Sequence, residues 1–444
     1  MTATAVPALA AVAGAGLRVP ILGGGEVRGV NLDYAASAPA LQAVADFVQE
    51  LTPRYASVHR GAGWHSQLST SVYEEARKIV GQHVGARGDD LVIFTRNTTD
   101  SLNLLASAVP GRSVVLDIEH HANFLPWVNA GATVVRAAST WAETLAALEA
   151  ELSRQPVALV TITGASNVTG EVLPIQQIAS LAHLYGARLA VDGAQLVPHR
   201  SIDIASLDVD YLAFSGHKTY APYGAGVLVG RADWLDVAPP YLRGGGAVES
   251  VSHDHASWRL GAPRHEAGSP NVLGVAALAR AVQELATIGS LAIAEHEHAL
   301  VQRLVAGLDE VPGVRRLLMF PEQHGVVGVV GVVGFAVTGI DAGLVAAVLS
   351  AEYGIGVRHG LFCAHPLTRR IGGNRALLRA SFGLGSSSDD VDALLAALTR
   401  IVRDGPQHPY ALVEGQWEPS DDDRPRPAWA PRRFGEAAGT GCVV

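Results

Sequence analysis

Between residue 31 and about residue 230, short unbroken apolar runs alternate with segments whose apolar positions recur every three or four residues. Ser113 to Ile118 (SVVLDI), Ala158 to Thr163 (ALVTIT), Arg188 to Asp192 (RLAVD), Tyr211 to Ser215 (YLAFS) and Gly226 to Gly230 (GVLVG) are of the first kind. Thr140 to Leu152 and Pro174 to Gly186 are of the second. A run with no polar alternation has no face to give to water, so it fits a strand covered on both sides. Strands joined by helices predict an α/β fold with a mainly parallel sheet and helices on both faces. From about residue 290 the pattern changes. His296 to Leu308, Asp341 to Gly354 and Asp389 to Asp404 read as helices; Gly331 to Val337, Ile355 to Pro366 and Leu377 to Leu384 read as strands, the second entering a loop. This is a smaller α+β domain. The expected organisation is an N-terminal segment, 1–30, packing on the small domain; a large domain, 31–290; the small domain, 291–403; and a tail, 404–444. The tail is rich in Pro, Asp and Arg, has little apolar periodicity, and reads as mobile, tacked down by Trp417 and Trp429.

Composition narrows the function. The 444 residues are 48% hydrophobic and 17% charged, enough for a large core. A net charge of −9 and the lack of any Lys/Arg run disfavour nucleic acid and anionic membrane as partners. Two cysteines, Cys363 and Cys442, make no disulfide framework and fit a reducing cytoplasm. The Ala-rich first twenty residues lack the basic start of a secretory signal. No uncharged apolar run is long enough for a membrane span; His324 to Val337 comes nearest and reads as a buried strand.

The chemistry gathers where the strands end. DIEHHAN, TGASN, VDGAQ and FSGHK each close an apolar run with a polar cluster. In parallel sheets ligands bind at the carboxyl ends of strands. Lys218 follows one strand beside Ser215 and His217; Asp192 ends another, with Gln195 on the same turn. A lysine amine and a buried carboxylate are what pyridoxal phosphate needs. The amine forms a Schiff base with the aldehyde, and the carboxylate keeps the ring nitrogen protonated. Burial helps such a lysine lose its proton. Asn97, Thr98 and Thr99 open a helical run and offer a phosphate seat of backbone N–H groups and hydroxyls. His120 offers a face for the ring. Taken singly, Asp192 reads as a turn residue, the Asn97–Asp100 stretch as a helix cap and His120 as a structural histidine; it is their order within one α/β region that points to the cofactor.

These segments resemble the class V aminotransferase-like enzymes, and within them the cysteine desulfurase and selenocysteine lyase group. The resemblance rests on the stretch from Val191 to Arg231 and on NLDYAASAPA, ASVHRGAGWHS, FTRNTTDSLNLLA, EHHANFLPW, GASNVTGEVLPI, EAGSPNVLG and VRHGLFCAHP, which together span about residues 31–402. It implies a fold-type-I homodimer with a mainly parallel seven-stranded sheet and bound pyridoxal 5'-phosphate. By the same motifs Lys218 holds the cofactor, Asp192 pairs with the ring nitrogen, Gln195 bonds the ring hydroxyl side and His120 stacks on the ring. Thr98, Thr99, Ser215 and His217 hold the phosphate, and Ser269 stands where a hydroxyl reaches the neighbouring subunit's phosphate. Arg379 clamps the substrate carboxylate, with Asn167 near both carboxylate and ring. No metal site is implied.

Cys363 aligns with the nucleophile of the desulfurase loop, with Arg358 and His359 before it and His365 after it. A thiolate there attacks the sulfur of an amino acid substrate, and a sulfur-acceptor protein is a further expected partner. Taken alone, the same cysteine reads as a small buried hydrophobe. The family usually has two histidines directly before it, where this chain has Leu361 and Phe362. That departure leaves open a C–S lyase acting on a substituted cysteine, or an aminotransferase or epimerase without a catalytic cysteine. A binding protein on this scaffold and a nicotinamide enzyme fit the residues poorly, because no dinucleotide fingerprint follows a first strand.

Overall fold

A computed structural model describes residues 5–321, 328–373 and 375–430. Seven strands form the central sheet: β1 (Asp90–Thr95), β2 (Ser113–Leu116), β3 (Thr133–Val135), β4 (Leu159–Thr163), β5 (Arg188–Asp192), β6 (Tyr211–Ser215) and β7 (Gly226–Arg231). Their order is β1-β7-β6-β5-β4-β2-β3. The pairings from β6 through β3 are parallel, and β7 runs antiparallel to both β1 and β6. The apolar runs are explained by the two cores that the sheet separates. Val92, Phe94, Leu212, Phe214, Val227 and Val229 enter one core. Their sequence neighbours Ile93, Tyr211, Ala213 and Leu228 enter the other. Alternation sends successive side chains to opposite faces, so both positions must be apolar.

A second sheet has β8 (Val314–Arg316), β9 (Val332–Val337), β10 (Arg358–Gly360) and β11 (Leu377–Ser381), in the antiparallel order β8-β9-β11-β10. Helices Ser290–Asp309, Ala342–Tyr353 and Ser388–Asp404 cover it. Leu304, Phe335, Val345, Leu378 and Leu398 fill the space between. The apolar stretch that begins at His324 supplies β9; its residues 324–327 lie outside the described residues. The N-terminal segment lies on this region. Val30–Asn31 pairs with Ile355–Gly356, and Arg28 bonds Asp390 at 2.6 Å. Among the described residues no single helix is long and apolar enough to cross a membrane.

The chain after Asp404 differs from its sequence reading. Tyr410–Val413 and Gln416–Pro419 form an antiparallel hairpin. Glu414 and Gly415 between them have φ of 49° and 80°, the left-handed pair that a tight hairpin turn requires. Glu352 anchors the strand by accepting bonds from the Gln407 and His408 N–H groups and from the Tyr410 hydroxyl. Trp417 packs beside Gly343, whereas Trp429 is exposed and tacks nothing down. Cys442 lies outside the described residues.

Candidate active site

The carboxyl ends of β1, β5 and β6 converge on one cavity of about 480 Å³. Gly226 starts β7 opposite both Thr95 and Ser215. A methyl group there would collide with the backbone of Asn97, so glycine lets the Asn97–Thr99 turn sit against the sheet. Helix Thr98–Ala108 begins at that turn, capped by the Asn97 side chain, which accepts the Asp100 N–H. Ser215 Oγ lies 2.6 Å from Thr98 Oγ1 and accepts the Thr98 N–H at 2.7 Å. The lysine loop is tied to the Asp33–Ala38 stretch: the His217 carbonyl accepts the Ala38 N–H and the Ser37 hydroxyl.

Thirteen of the candidate site residues named from the sequence line this cavity: Asn97, Thr98, Thr99, His120, Asn167, Asp192, Gln195, Ser215, His217, Lys218, Arg358, Cys363 and Arg379. Ser269 does not. It sits on an exposed loop away from the cavity of its own chain.

Burial sets the charges. It pushes the Lys218 ammonium down to about 8, against the attraction of Asp192, with Arg379 adding repulsion. The partial exposure that Lys218 keeps goes with its place in the cavity wall. Burial raises the Asp192 carboxyl, opposed by the Ala194 N–H and by Lys218. His120 is held at about 3 by burial and then by Lys218, so its ring is neutral. Its Nδ1 accepts the Ala122 N–H at 3.0 Å, which leaves the proton on Nε2. His217 is lowered to about 4 by burial, then by Lys218. Gln195 donates to the Ala35 carbonyl, while its Oε1 is buried without a partner among the described residues.

Two residues absent from the sequence reading, Asp33 and Glu119, complete the site together with Phe362. Asp33 bonds Arg379 Nη2 at 2.7 Å, and Asn167 O accepts from Nη1 at 2.9 Å. Each terminal nitrogen keeps one N–H, and the buried Nε has no partner among the described residues. Arg358 reaches the same Asp33 at 4.0 Å. Glu119 is fully buried beneath the site and bonded by Asn123; burial, opposed by that bond and reinforced by Asp192, raises its carboxyl well above the usual range. Phe362 lies 5.3 Å under the Arg379 guanidinium. Asp33 and Glu119 stand inside motifs already singled out, NLDYAASAPA and EHHANFLPW, but their partners are distant in sequence.

The aminotransferase class-V family model matches residues 30–394. A cysteine desulfurase of Dickeya dadantii is 38% identical over 387 residues, covering 84% of this chain and 92% of that protein. A probable cysteine desulfurase of Chlamydia muridarum is also 38% identical, covering 84% and 95%. Among solved structures, a cysteine desulfurase from Escherichia coli in its S-sulfonic acid form superposes with a TM-score of 0.75 at 34% identity, covering 84% and 95%. The apo cysteine desulfurase of Thermococcus onnurineus gives 0.77 at 31%, with the same coverage. With the family matched across the sheet, the lysine loop and the cysteine loop, this chain belongs to the class-V aminotransferases, in their cysteine desulfurase group.

Proposed function

We propose that this protein is a pyridoxal-phosphate enzyme that removes sulfur, or selenium, from L-cysteine or a closely related amino acid, leaving the atom on Cys363. One observation carries the reading: Lys218, Arg379 and Cys363 line a single cavity.

Pyridoxal phosphate fits the residues present. Gln195 Oε1 is a buried acceptor without a partner among the described residues, and Asp192 is a buried carboxylate that a cationic ring nitrogen would hold ionised. Lys218 would hold the cofactor, Asp192 and Gln195 would meet its ring atoms, and the neutral His120 would lie on its face. Thr98, Thr99, Ser215 and His217 would hold the phosphate, with the Thr98 and Ser215 donors turning from each other to the oxygens. Bound there, the cofactor draws electrons from the substrate's α carbon and loosens its proton.

The chain's own residues do the rest. Arg379, oriented by Asp33, takes the substrate carboxylate with Asn167 and Arg358 beside it. Lys218 as a neutral amine carries protons between substrate atoms. Cys363 attacks the substrate sulfur as a thiolate. The sulfur–sulfur bond forms, the carbon–sulfur bond breaks with its electrons going to carbon, and that carbon takes a proton. Alanine leaves and a persulfide stays on Cys363. Incubation with L-cysteine is expected to yield alanine and a protein heavier by one sulfur atom. Pyruvate and ammonia from a substituted cysteine, with no mass gain, would favour a C–S lyase instead.

The same reading makes the protein a homodimer of the cytoplasm that hands sulfur to an acceptor protein. Its support is the exposed Ser269, whose hydroxyl has no role in its own cavity. Light scattering is expected to show a dimer, and a fully active monomer would refute shared sites.

A further inference from the structure

Cys363 stands where two cavities meet. It lines the inner cavity with Lys218, and it lines a groove of about 850 Å³ on the other side, walled by Asn103, Ser107, His121, Leu125 and Val128. Its loop is held in place. His121 N–H donates to the Cys363 carbonyl at 2.6 Å, and Asn167 donates to the Phe362 carbonyl at 2.8 Å. Phe362 and Cys363 both have φ of 51°, a left-handed turn that such residues adopt only when their surroundings enforce it.

The residues directly before Cys363 carry no imidazole: Leu361 and Phe362 are buried apolar side chains. Two imidazoles stand close by instead. The rings of His121 and His365 meet edge to face, 4.4 Å apart at 70°. His365 is two residues past Cys363, and its Nε2 is buried without a hydrogen-bond partner among the described residues. His121 shares the outer groove with Cys363.

We propose that His121 and His365 act as a pair that takes the proton from the Cys363 thiol, replacing the two histidines missing before it. This rests on Cys363 being the sulfur nucleophile. The proton leaves Sγ for an imidazole nitrogen, and the electron pair stays on sulfur. The resulting cation stabilises the thiolate, and the second ring, kept neutral, shares the proton.

The groups facing Cys363 from the inner side do not serve as the base. Arg379 and Arg358 are permanent cations. Lys218, lowered only to about 8, is mostly an ammonium at neutral pH and is committed to the cofactor when loaded. His120, 6.3 Å from His121, is held at about 3, and His217 at about 4; both are weak bases. Asp33 is engaged by Arg379, and Asp192 is buried among the cofactor ligands. Burial, and then His365, keeps His121 below the usual histidine range, so it is neutral and available at pH 7.

The test uses the holoenzyme with His121→Gln, His365→Gln and both together. The rate at which iodoacetamide alkylates Cys363 is followed against pH by peptide mass spectrometry. The double variant is expected to move the profile up by about one pH unit and to slow alkylation about tenfold at pH 7. Single-turnover persulfide formation slows in parallel, and added imidazole restores both. His365→Gln alone, at the first turn of helix His365–Gly372, carries the test if the double variant loses cofactor. An unchanged alkylation profile in a variant with an intact cofactor spectrum overturns the pair's role. Alanine release undiminished in Cys363→Ser would instead overturn the desulfurase reading, and the alkylation result would stand apart from it.

Discussion

Lys218→Ala is expected to lower turnover of L-cysteine by about 10⁴-fold or more, the scale of losing a covalent catalytic group. Borohydride should then fix no cofactor to the protein, while the fold and the phosphate seat remain. The reason lies in the site. Lys218 is the amine on the loop between β6 and β7, facing Asp192 across the cavity. No other lysine lines that cavity, so nothing nearby replaces it. Its pKa gives a second, independent readout. Only the neutral amine attacks an aldehyde, and burial brings the ammonium down to about 8. The neutral fraction therefore falls about tenfold for each pH unit below that value and levels off above it. Loading of apoenzyme with pyridoxal phosphate is expected to follow the same curve, with its break near pH 8. A break near the ordinary lysine value, or a borohydride-stable adduct in Lys218→Ala, would remove Lys218 from the role.

The sheet was legible because both faces of its strands are covered. Runs such as YLAFS and GVLVG could be read as strands without knowing their neighbours, since each residue meets one core or the other. What those runs did not carry is direction: nothing in GVLVG distinguishes the antiparallel β7 from its parallel neighbours. The polar strand ends were legible for a similar reason, because Asp192 and Lys218 follow apolar runs directly. The rest of the site depends on pairs far apart in sequence. Asp33 and Arg379 are separated by 346 residues. Glu352 holds the hairpin through the Tyr410 hydroxyl, 58 residues away. His121 reaches His365 only through the fold. No local pattern announces such pairs. The hairpin had one local sign, the Glu414–Gly415 turn, which the Pro- and Asp-rich composition around it obscured.

Cys363→Ser is expected to abolish persulfide formation and to lower alanine production from L-cysteine about 10³-fold or more. The hydroxyl occupies the same place, but it does not ionise near neutral pH and forms no stable bond to sulfur in this exchange. Fold and cofactor binding should survive. The left-handed backbone at 362 and 363 is held by Asn167 and His121 through carbonyl groups, which serine retains. The variant therefore separates three outcomes that the cofactor site alone does not. If alanine and the added sulfur mass disappear together while the cofactor spectrum is unchanged, sulfur passes through Cys363. If pyruvate and ammonia form from a substituted cysteine at an undiminished rate, the inner cavity performs elimination and Cys363 only closes its wall. If an amino group passes to a keto acid and no sulfur is released, both readings fail. The first outcome is favoured by position. Cys363 borders the inner cavity, where Arg379 would orient the substrate, and also the outer groove of about 850 Å³, from which an acceptor thiol can approach. A residue so placed can take sulfur on one side and give it up on the other. With L-cysteine alone the wild-type protein should accordingly stall as the persulfide after one turnover, and a small thiol reductant should release sulfide and restore steady alanine production.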